Sequence, residues 1–543
     1  MSERSLITQI IAQRDDLKSQ RGNWDNTLQE VAEYVLPRKA EFTRTWADGE
    51  QRNRELYDST PEDAAQLLAA ALHGLLTNPS TSWAGFRSER GGEEVSDGAR
   101  QWKDDAINTF FDVLSREETS FTPQIHEFYL DLAAFCTGIF YSEEREGGIS
   151  CRTYNIANVM FSENANGIVD SVYRTQQMTA RQIAAEWGED KVHRAIKECL
   201  RDTPEKRFEI VHAVIPRKDA KRVGARSSRE KPFASYWIDA ANQHLLSEGG
   251  YDEQPYNVAR WSKSSGELLG RGPGLTALPF IRSLNAMALT AMMAAEKMAD
   301  PPLIAPDDGF LGPINSGSGG ISYYRTSIPG QGGDMIRPLP VSADLPAIQS
   351  MIEWRSNAIR RIFMNEQLQS FENPNMTATQ VLAIQAEKMR VLGPVLGRLQ
   401  VEFLSPFVNR VFNILLRQGV IPPPPPELQG KDLAVEYINP ISNVQKQEQA
   451  QSFSQAVNYI SPLVQTDPSS LDNFNYDAIV RDSQEIFGYP SKYLRAEEDV
   501  AQLREQRAQQ QQAMMEAQLA KEAVDTAANA KSKGLMDDGT AEA

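Results

Sequence analysis

Two long helical patterns separated by a stretch rich in Gly, Pro and Ser constrain this chain more than any other feature. Residues 275–299 are rich in Ala, Met and Leu and are closed by Asp300-Pro301-Pro302. Residues 345–367 carry Ile348, Ile352, Ile359 and Phe363 on one stripe. A helix with a continuous apolar stripe is stable only when something covers that stripe. Between the two, 301–346 changes to Gly, Pro and Ser with a short β-like piece at 321–326. The expectation is two long helices flanking a small β-rich insertion.

The N-terminal half reads as a mixture of helix and strand. Trp24, Leu28, Val31 and Val35 form a helical stripe that Pro37 ends. A second helix opens at Tyr57-Asp58-Ser59-Thr60-Pro61, where Ser59 or Thr60 can cap and Pro61 suits the first turn. It runs through 64–76 and stops at Asn78-Pro79. Helical patterns follow at 102–114 and 123–136, then β-like runs at 149–154 and 169–175.

Towards the C-terminus, 366–375 reads as a polar loop, and Thr377 to Gln380 has the spacing of a capping box opening another long helix. Gly393-Pro394 and Pro406 should kink or interrupt that helix. Residues 422–426 form a stiff polyproline connector, and 433–438 a strand. From 491 to 533 neither Gly nor Pro occurs and Gln, Ala and Glu dominate, which predicts a long exposed helix. Its apolar residues are too irregular for a strong coiled-coil assignment. The fold class expected is mainly α with a smaller β component, α+β.

Composition narrows the function. A net charge of −17 opposes a protein that coats nucleic acid through a broad basic surface, because such binding needs Lys and Arg to replace counterions. It is compatible with a conduit whose acidic wall keeps DNA from sticking. The basic stretch 215–231 has seven cations against two acids, an excess of 7 − 2 = 5. It lacks interleaved aromatics, which favours a solvated loop over a DNA contact. Cys136, Cys151 and Cys199 have no C-x-x-C spacing, so neither a disulfide framework nor a zinc knuckle is suggested, and a reducing compartment fits best. Glu3 and Arg4 precede any apolar run, so no secretory signal is read. The most apolar stretch, 283–295, is shorter than the ~20 residues of a bilayer crossing, and no membrane span is expected.

Enzyme chemistry finds little support. Gly270-Arg271-Gly272-Pro273-Gly274 opens a helix, where backbone N–H groups can meet phosphate. It lacks the Gly-Lys-Ser/Thr ending of a phosphate loop, and Pro273 removes a donor, so a tight turn is favoured. The five histidines form no metal-binding spacing, and His73 reads as a packed side chain. Carboxylate pairs such as Asp104-Asp105 are adjacent and diverge on a helix. The expectation is no enzyme, no catalytic residue, no metal and no cofactor.

Four blocks, in order, carry a family resemblance. They are Tyr57-Asp58-Ser59-Thr60 with Leu75-Leu76-Thr77-Asn78-Pro79 and Trp83; Gly266-Glu267 with Gly270-Arg271-Gly272-Pro273; Met376-Thr377-Ala378-Thr379 with Glu387; and Arg398-Leu399-Gln400 with Glu402, Pro406, Gly419 and Pro422. From about residue 20 to 440 the chain resembles the head-to-tail connecting, or portal, family of short-tailed bacteriophages. Gln380 stands where that pattern has an acidic residue, and the last hundred residues match only in being helical and Gln-rich.

The resemblance implies a ring of about twelve copies at one capsid vertex, with 1–270 as the wing, 271–299 and 345–365 as the stem helices, and 300–344 as the clip. It further implies a channel-facing tunnel loop at 366–376, a kinked helix returning to the wing at 377–439, a crown at 440–493 and a helical barrel or tail at 494–543. Implied partners are further copies of the chain, terminase, scaffold and major capsid protein, tail and adaptor proteins, and double-stranded DNA held in the lumen without sequence specificity. The protein would sit in the virion after assembly in the host cytoplasm. Gln367, Gln369, Phe371, Glu372, Asn373 and Asn375 become tunnel-loop candidates. On the second stem helix Arg355 falls on the apolar stripe and reads as a donor to an ion pair between copies, while Arg360 and Arg361 point away from it and are candidates for facing DNA, with a solvated helix face as the alternative for them. A scaffold or internal core protein would share the acidic helical composition but should lack the Gly/Pro-rich insertion. A DNA-processing hydrolase would need clustered carboxylates or histidines that the sequence does not offer.

Overall fold

The computed structural model describes residues 3–47, 49–79, 81–86, 97–217, 227–306, 315, 317–324, 337–338, 344–368, 392–428, 435–437, 450, 452–460, 474–487, 493–495 and 497–532. The chain divides into two compact units. The first comprises 1–87, 109–422 and 434–444; the second comprises 88–108, 423–433 and 445–543. The class is α+β, mostly helical, as expected.

In the first unit, α1 (Glu3–Gln20), α2 (Gly22–Val35) and α3 (Thr60–Leu76) come first. The stripe on α2 buries Leu28, Val31 and Val35, while Trp24 stays half-exposed. Helix α3 buries Leu68, Leu72 and Leu76 completely or nearly so, at about 1.5–3 kcal/mol each. Ser59 takes the N-cap position, as expected, but its side chain makes no capping bond: Asp58 Oδ1 accepts from the Thr60 N–H at 2.8 Å, while Ser59 Oγ donates to Asp63. Asp and Ser compete for the same orphan donors, and a carboxylate makes the stronger bond.

Strand β1 (Ala84–Phe86) precedes α4 (Asp97–Ser115) and α5 (Phe121–Phe135), which extend the two helices expected at 102–114 and 123–136. The strands β2 (Thr137–Arg145), β3 (Gly148–Thr153), β4 (Val159–Glu163) and β5 (Val169–Thr179) follow. Helices α6 (Ala180–Trp187) and α7 (Arg194–Asp202) separate them from β6 (Arg207–Pro216), β7 (Phe233–Asp239), β8 (His244–Tyr251) and β9 (Tyr256–Arg260). An antiparallel five-stranded sheet has the order β4-β5-β6-β7-β8, and a three-stranded one has β3-β2-β9. From Thr137 to Ser142, β2 is buried on both faces, which is why it reads as a continuous run instead of alternating.

Two long helices follow: α8 (Pro273–Ala299) and α9 (Leu345–Ile362), packed on each other. Between them β10 (Leu303–Pro306) pairs in parallel with β11 (Ile321–Tyr324) and antiparallel with β12 (Arg337–Pro338), so the expected β-rich insertion is present. At 27 residues α8 is long and apolar enough to cross a bilayer. Its N-terminal half is instead built into the first unit, where it buries Ala277, Leu278, Ile281, Leu284 and Ala288. Helix α9 ends earlier than the expected 367. A short helix, α10 (Asn365–Leu368), occupies the start of the region read as a polar loop.

The returning segment is helical at 392–399, then forms a π-turn at Gln400–Leu404 and continues as the helix Ser405–Arg417. The Ser405 N–H donates to Gln400 O, one residue further back than in an α-helix. That extra residue is how the helix accommodates Pro406, which has no N–H and would crowd the carbonyl four residues back. Phe403 and Phe407 enter a cluster with Phe121, Phe128 and Phe140, with the Phe128 and Phe403 centroids 4.3 Å apart. Strand β13 (Val435–Tyr437) pairs with β1.

In the second unit, the helix Tyr476–Phe487 is joined to the helix Glu497–Ser532 by the Arg504–Asp477 ion pair. The long helix exposes every described side chain from 504 to 526, as its irregular pattern predicts.

Candidate stem site and its anchors

The root of α8 is set by Gly270 to Gly274. A Cβ on Gly270 would lie 2.2 Å from Cys136 O, one on Gly272 2.7 Å from the Trp261 ring, and one on Gly274 1.9 Å from Ala134 O. The three glycines are therefore required by close backbone approach, not only by a turn. Most of the donors that could have met a phosphate are spent. Gly270 N–H donates to Thr137 Oγ1 at 2.9 Å and Arg271 N–H to Ser262 O at 2.8 Å, and those of Gly274 and Leu275 point at Cys136 sulfur. Burial pushes the Cys136 thiol up to about 12, against those two N–H groups. Arg271 forms a two-bond pair with Glu267 (2.7 and 2.6 Å) and lies 5.0 Å from the Trp24 ring.

Further along α8, Arg282 pairs with Glu30 of α2 through two bonds. Asn285 accepts from the Tyr57 N–H at 2.8 Å and donates to Glu55 O at 2.9 Å. The Tyr57-Asp58-Ser59-Thr60 block is thereby tied to the helix root. Beyond this anchored half, Met292, Met293 and Met298 of α8 are exposed, and on α9 Met351 and Trp354 are exposed, Trp354 at 62%.

Among the sequence-assigned residues, Arg355 donates from Nη1 to Ser283 Oγ at 2.7 Å within its own chain. Its Nε is buried without a partner, and no carboxylate pairs with it among the described residues. The ion pair expected there is thus not made inside one copy; a serine on α8 takes part of the guanidinium. Arg360 and Arg361 are exposed, as expected. Arg360 donates to Asn357 Oδ1 at 3.3 Å, and Arg361 lies 3.8 Å from Glu366. Gln367 falls on α10, while Gln369, Phe371, Glu372, Asn373 and Asn375 lie outside the described residues, as does the capping box at Thr377.

Sequence reasoning missed the anchor of the returning helix. Arg260, 1% exposed, donates through its backbone N–H to Glu402 Oε2 at 2.9 Å and through Nη2 to Glu402 Oε1 at 2.7 Å. It also pairs with Glu163, which Lys263 bonds at 2.6 Å, and Arg398 reaches Glu402 at 3.0 Å. Burial would raise the Glu163 carboxyl, but hydrogen bonds and charge from Lys263 and Arg260 outweigh it and hold it below its usual range. Arg410, 2% exposed, donates to Ser142 Oγ (3.0 Å) and Glu253 O (2.8 Å), fixing the same helix to β2. Glu402 and Pro406 belong to one sequence block, yet nothing in the sequence pairs Glu402 with Arg260, 142 positions away.

The remaining polar clusters are structural in geometry. His73 and His126 rings lie 5.9 Å apart, with His73 Nε2 buried and unpartnered. The described members of the basic stretch serve the β7–β8 hairpin: Arg217 pairs with Glu248 and Lys231 with Asp252. No group of three or more metal-ligating side chains occurs among the described residues.

The chain is 27% identical over 538 residues to a "Probable portal protein" of Bordetella phage BPP-1, covering 97% of this chain and 96% of that protein. It is also 27% identical over 514 residues to the "Portal protein" of Salmonella phage epsilon15, covering 93% and 91%. A solved structure titled "Virion of native gene transfer agent (GTA) particle" matches 78% of this chain and 94% of its own, at 10% identity and a TM-score of 0.33. The family model described as bacteriophage head to tail connecting protein matches residues 8–494, and the chain belongs to that family.

Proposed function

We propose that this chain is the portal subunit of a short-tailed bacteriophage and that about twelve copies form a ring at one capsid vertex, through which double-stranded DNA is packaged and ejected. The observation that carries this reading is similarity to two phage portal proteins along nearly the whole chain, stem helices and returning helix included. The partition into wing, stem, clip, tunnel loop, crown and tail follows from it. So do docking of terminase during filling and of tail proteins afterwards, the roles of scaffold and major capsid protein, and assembly in the host cytoplasm.

The stem supports the reading physically. One half of α8 is anchored by Arg282, Asn285 and the glycine root, the other half exposes methionines, and α9, packed on α8, exposes Met351 and Trp354. Exposed large apolar groups in one region call for a covering surface, and a neighbouring copy in a heterologous ring would supply it. Exposure of Arg360 and Arg361 near the C-terminal end of α9 supports a role for them as cations that meet DNA without sequence specificity. Immunogold labelling of intact particles tests this: label at one vertex per particle is expected, and label spread over all vertices or absent from particles contradicts it.

A further inference from the structure

We infer that Asn365 is a positioning residue, a latch that fixes the direction in which the chain leaves the second stem helix; this rests on the portal reading. The observations are independent of each other. Helix α9 ends at Ile362, Phe363 is fully buried, and Met364 adopts the left-handed conformation with φ of +59°. A residue with a Cβ is strained there, and Met has no side-chain group that compensates locally, as Asn or Asp would. Asn365 follows, only 5% exposed. In the amide orientation that satisfies both ends of its side chain, its nitrogen donates to Phe363 O at 3.1 Å and to Ala64 O at 3.2 Å. Ala64 lies in α3, whose Leu68, Leu72 and Leu76 are in the core.

A helix that simply frayed would need neither a left-handed residue nor a buried amide. Here the amide joins a carbonyl of the stem helix end to a carbonyl of the rigid helix α3, and α10 packs on both α9 and α3. Only a side chain with two N–H donors on one atom can bridge two carbonyls in this way; an Ala leaves the bridge open, and an Asp places a charge between two acceptors. The bend is therefore referenced to α3 and not to the stem alone. That reference sets the position of α10, from which the chain leaves the stem helix.

The test uses the full-length chain, assembled as it is in particles. Asn365→Ala should leave oligomer size unchanged, speed amide exchange of residues 363–368 about tenfold while 350–358 stay as in wild type, and lower the DNA retained per particle. Unchanged exchange at 363–368 overturns the latch, and faster exchange with wild-type DNA retention overturns its positioning role. Should Asn365→Ala not fold, Met364 decides: Met364→Gly should unfold no earlier than wild type and Met364→Ile several degrees earlier, and the reverse order overturns the bend. A wild-type chain that forms no oligomer fails the portal reading and not the latch, so the two failures are distinguishable.

Discussion

Replacing Glu402 by Ala removes the acceptor for three donors of one buried residue: the Arg260 backbone N–H, Nε and Nη2. At 2.7 Å and an effective dielectric near 20 the gross attraction between the charges is about 6 kcal/mol. Glu163 still faces Nη1, so Arg260 keeps one carboxylate partner. What dominates is the loss of the acceptor for its backbone N–H, Nε and Nη2, and removing one partner of a buried ion pair costs about 3–5 kcal/mol. With a denaturant slope of about 3 kcal/mol per molar urea, the midpoint of the first unit should fall by about 1 M or more. Glu402→Gln keeps the shape and one acceptor and should lose about 1.5–3 kcal/mol, the range for a hydrogen bond to a charged group. Val401, its neighbour on the π-turn, is 71% exposed, and Val401→Ala should stay within about 0.5 kcal/mol of wild type. Urea titration followed by tryptophan fluorescence gives the three values. Equal midpoints for Glu402→Ala and Val401→Ala would refute the idea that this ion network anchors the returning helix.

Gly274→Ala should destabilise by about 1–3 kcal/mol or abolish folding, since its Cβ meets backbone and not a movable side chain; a neutral midpoint shows that the root of α8 is loose. Glu163 titrates below its usual range in the fold, so its stabilisation is complete above the unfolded value of about 4.5 and is lost as pH falls below it. The urea midpoint gap between wild type and Glu163→Gln should therefore be constant near neutrality and narrow below pH 4.5, and a gap that widens there contradicts the sign. Deleting 494–543 should leave the thermal transition of the first unit and the oligomer size unchanged, because the long helix exposes nearly all its described side chains; loss of the oligomer from a folded truncation makes that segment an assembly element.

Local periodicity made the helices legible. Ile359 and Phe363 are buried and Arg360 and Arg361 exposed because a 3.6-residue repeat leaves no alternative once one stripe meets a neighbour. What escaped the sequence depends on residues far apart or on conformations without a composition signature. Glycines 270, 272 and 274 announce a special backbone, but that they press on Ala134, Cys136 and Trp261 becomes visible only when α5 and β9 are placed. The Arg260–Glu402 pair spans 142 positions and has no local pattern. Ser59 holds the N-cap position, but the side-chain oxygen that meets the first helical N–H is that of Asp58, because adjacent residues of similar capping strength cannot be ranked by type alone. Met364 gives no hint of a left-handed turn, which is why the periodicity carries α9 five residues past its end at Ile362. Arg355 sits on the stripe, and within one chain it donates to Ser283 of α8.

The central claim is that the chain works as a closed ring around a channel, and electron microscopy of the purified full-length protein tests it most directly. Class averages should show rings of about twelve copies with a central hole, and light scattering should give the matching mass. A monodisperse monomer at micromolar concentration, with no rings in the images, would contradict the account.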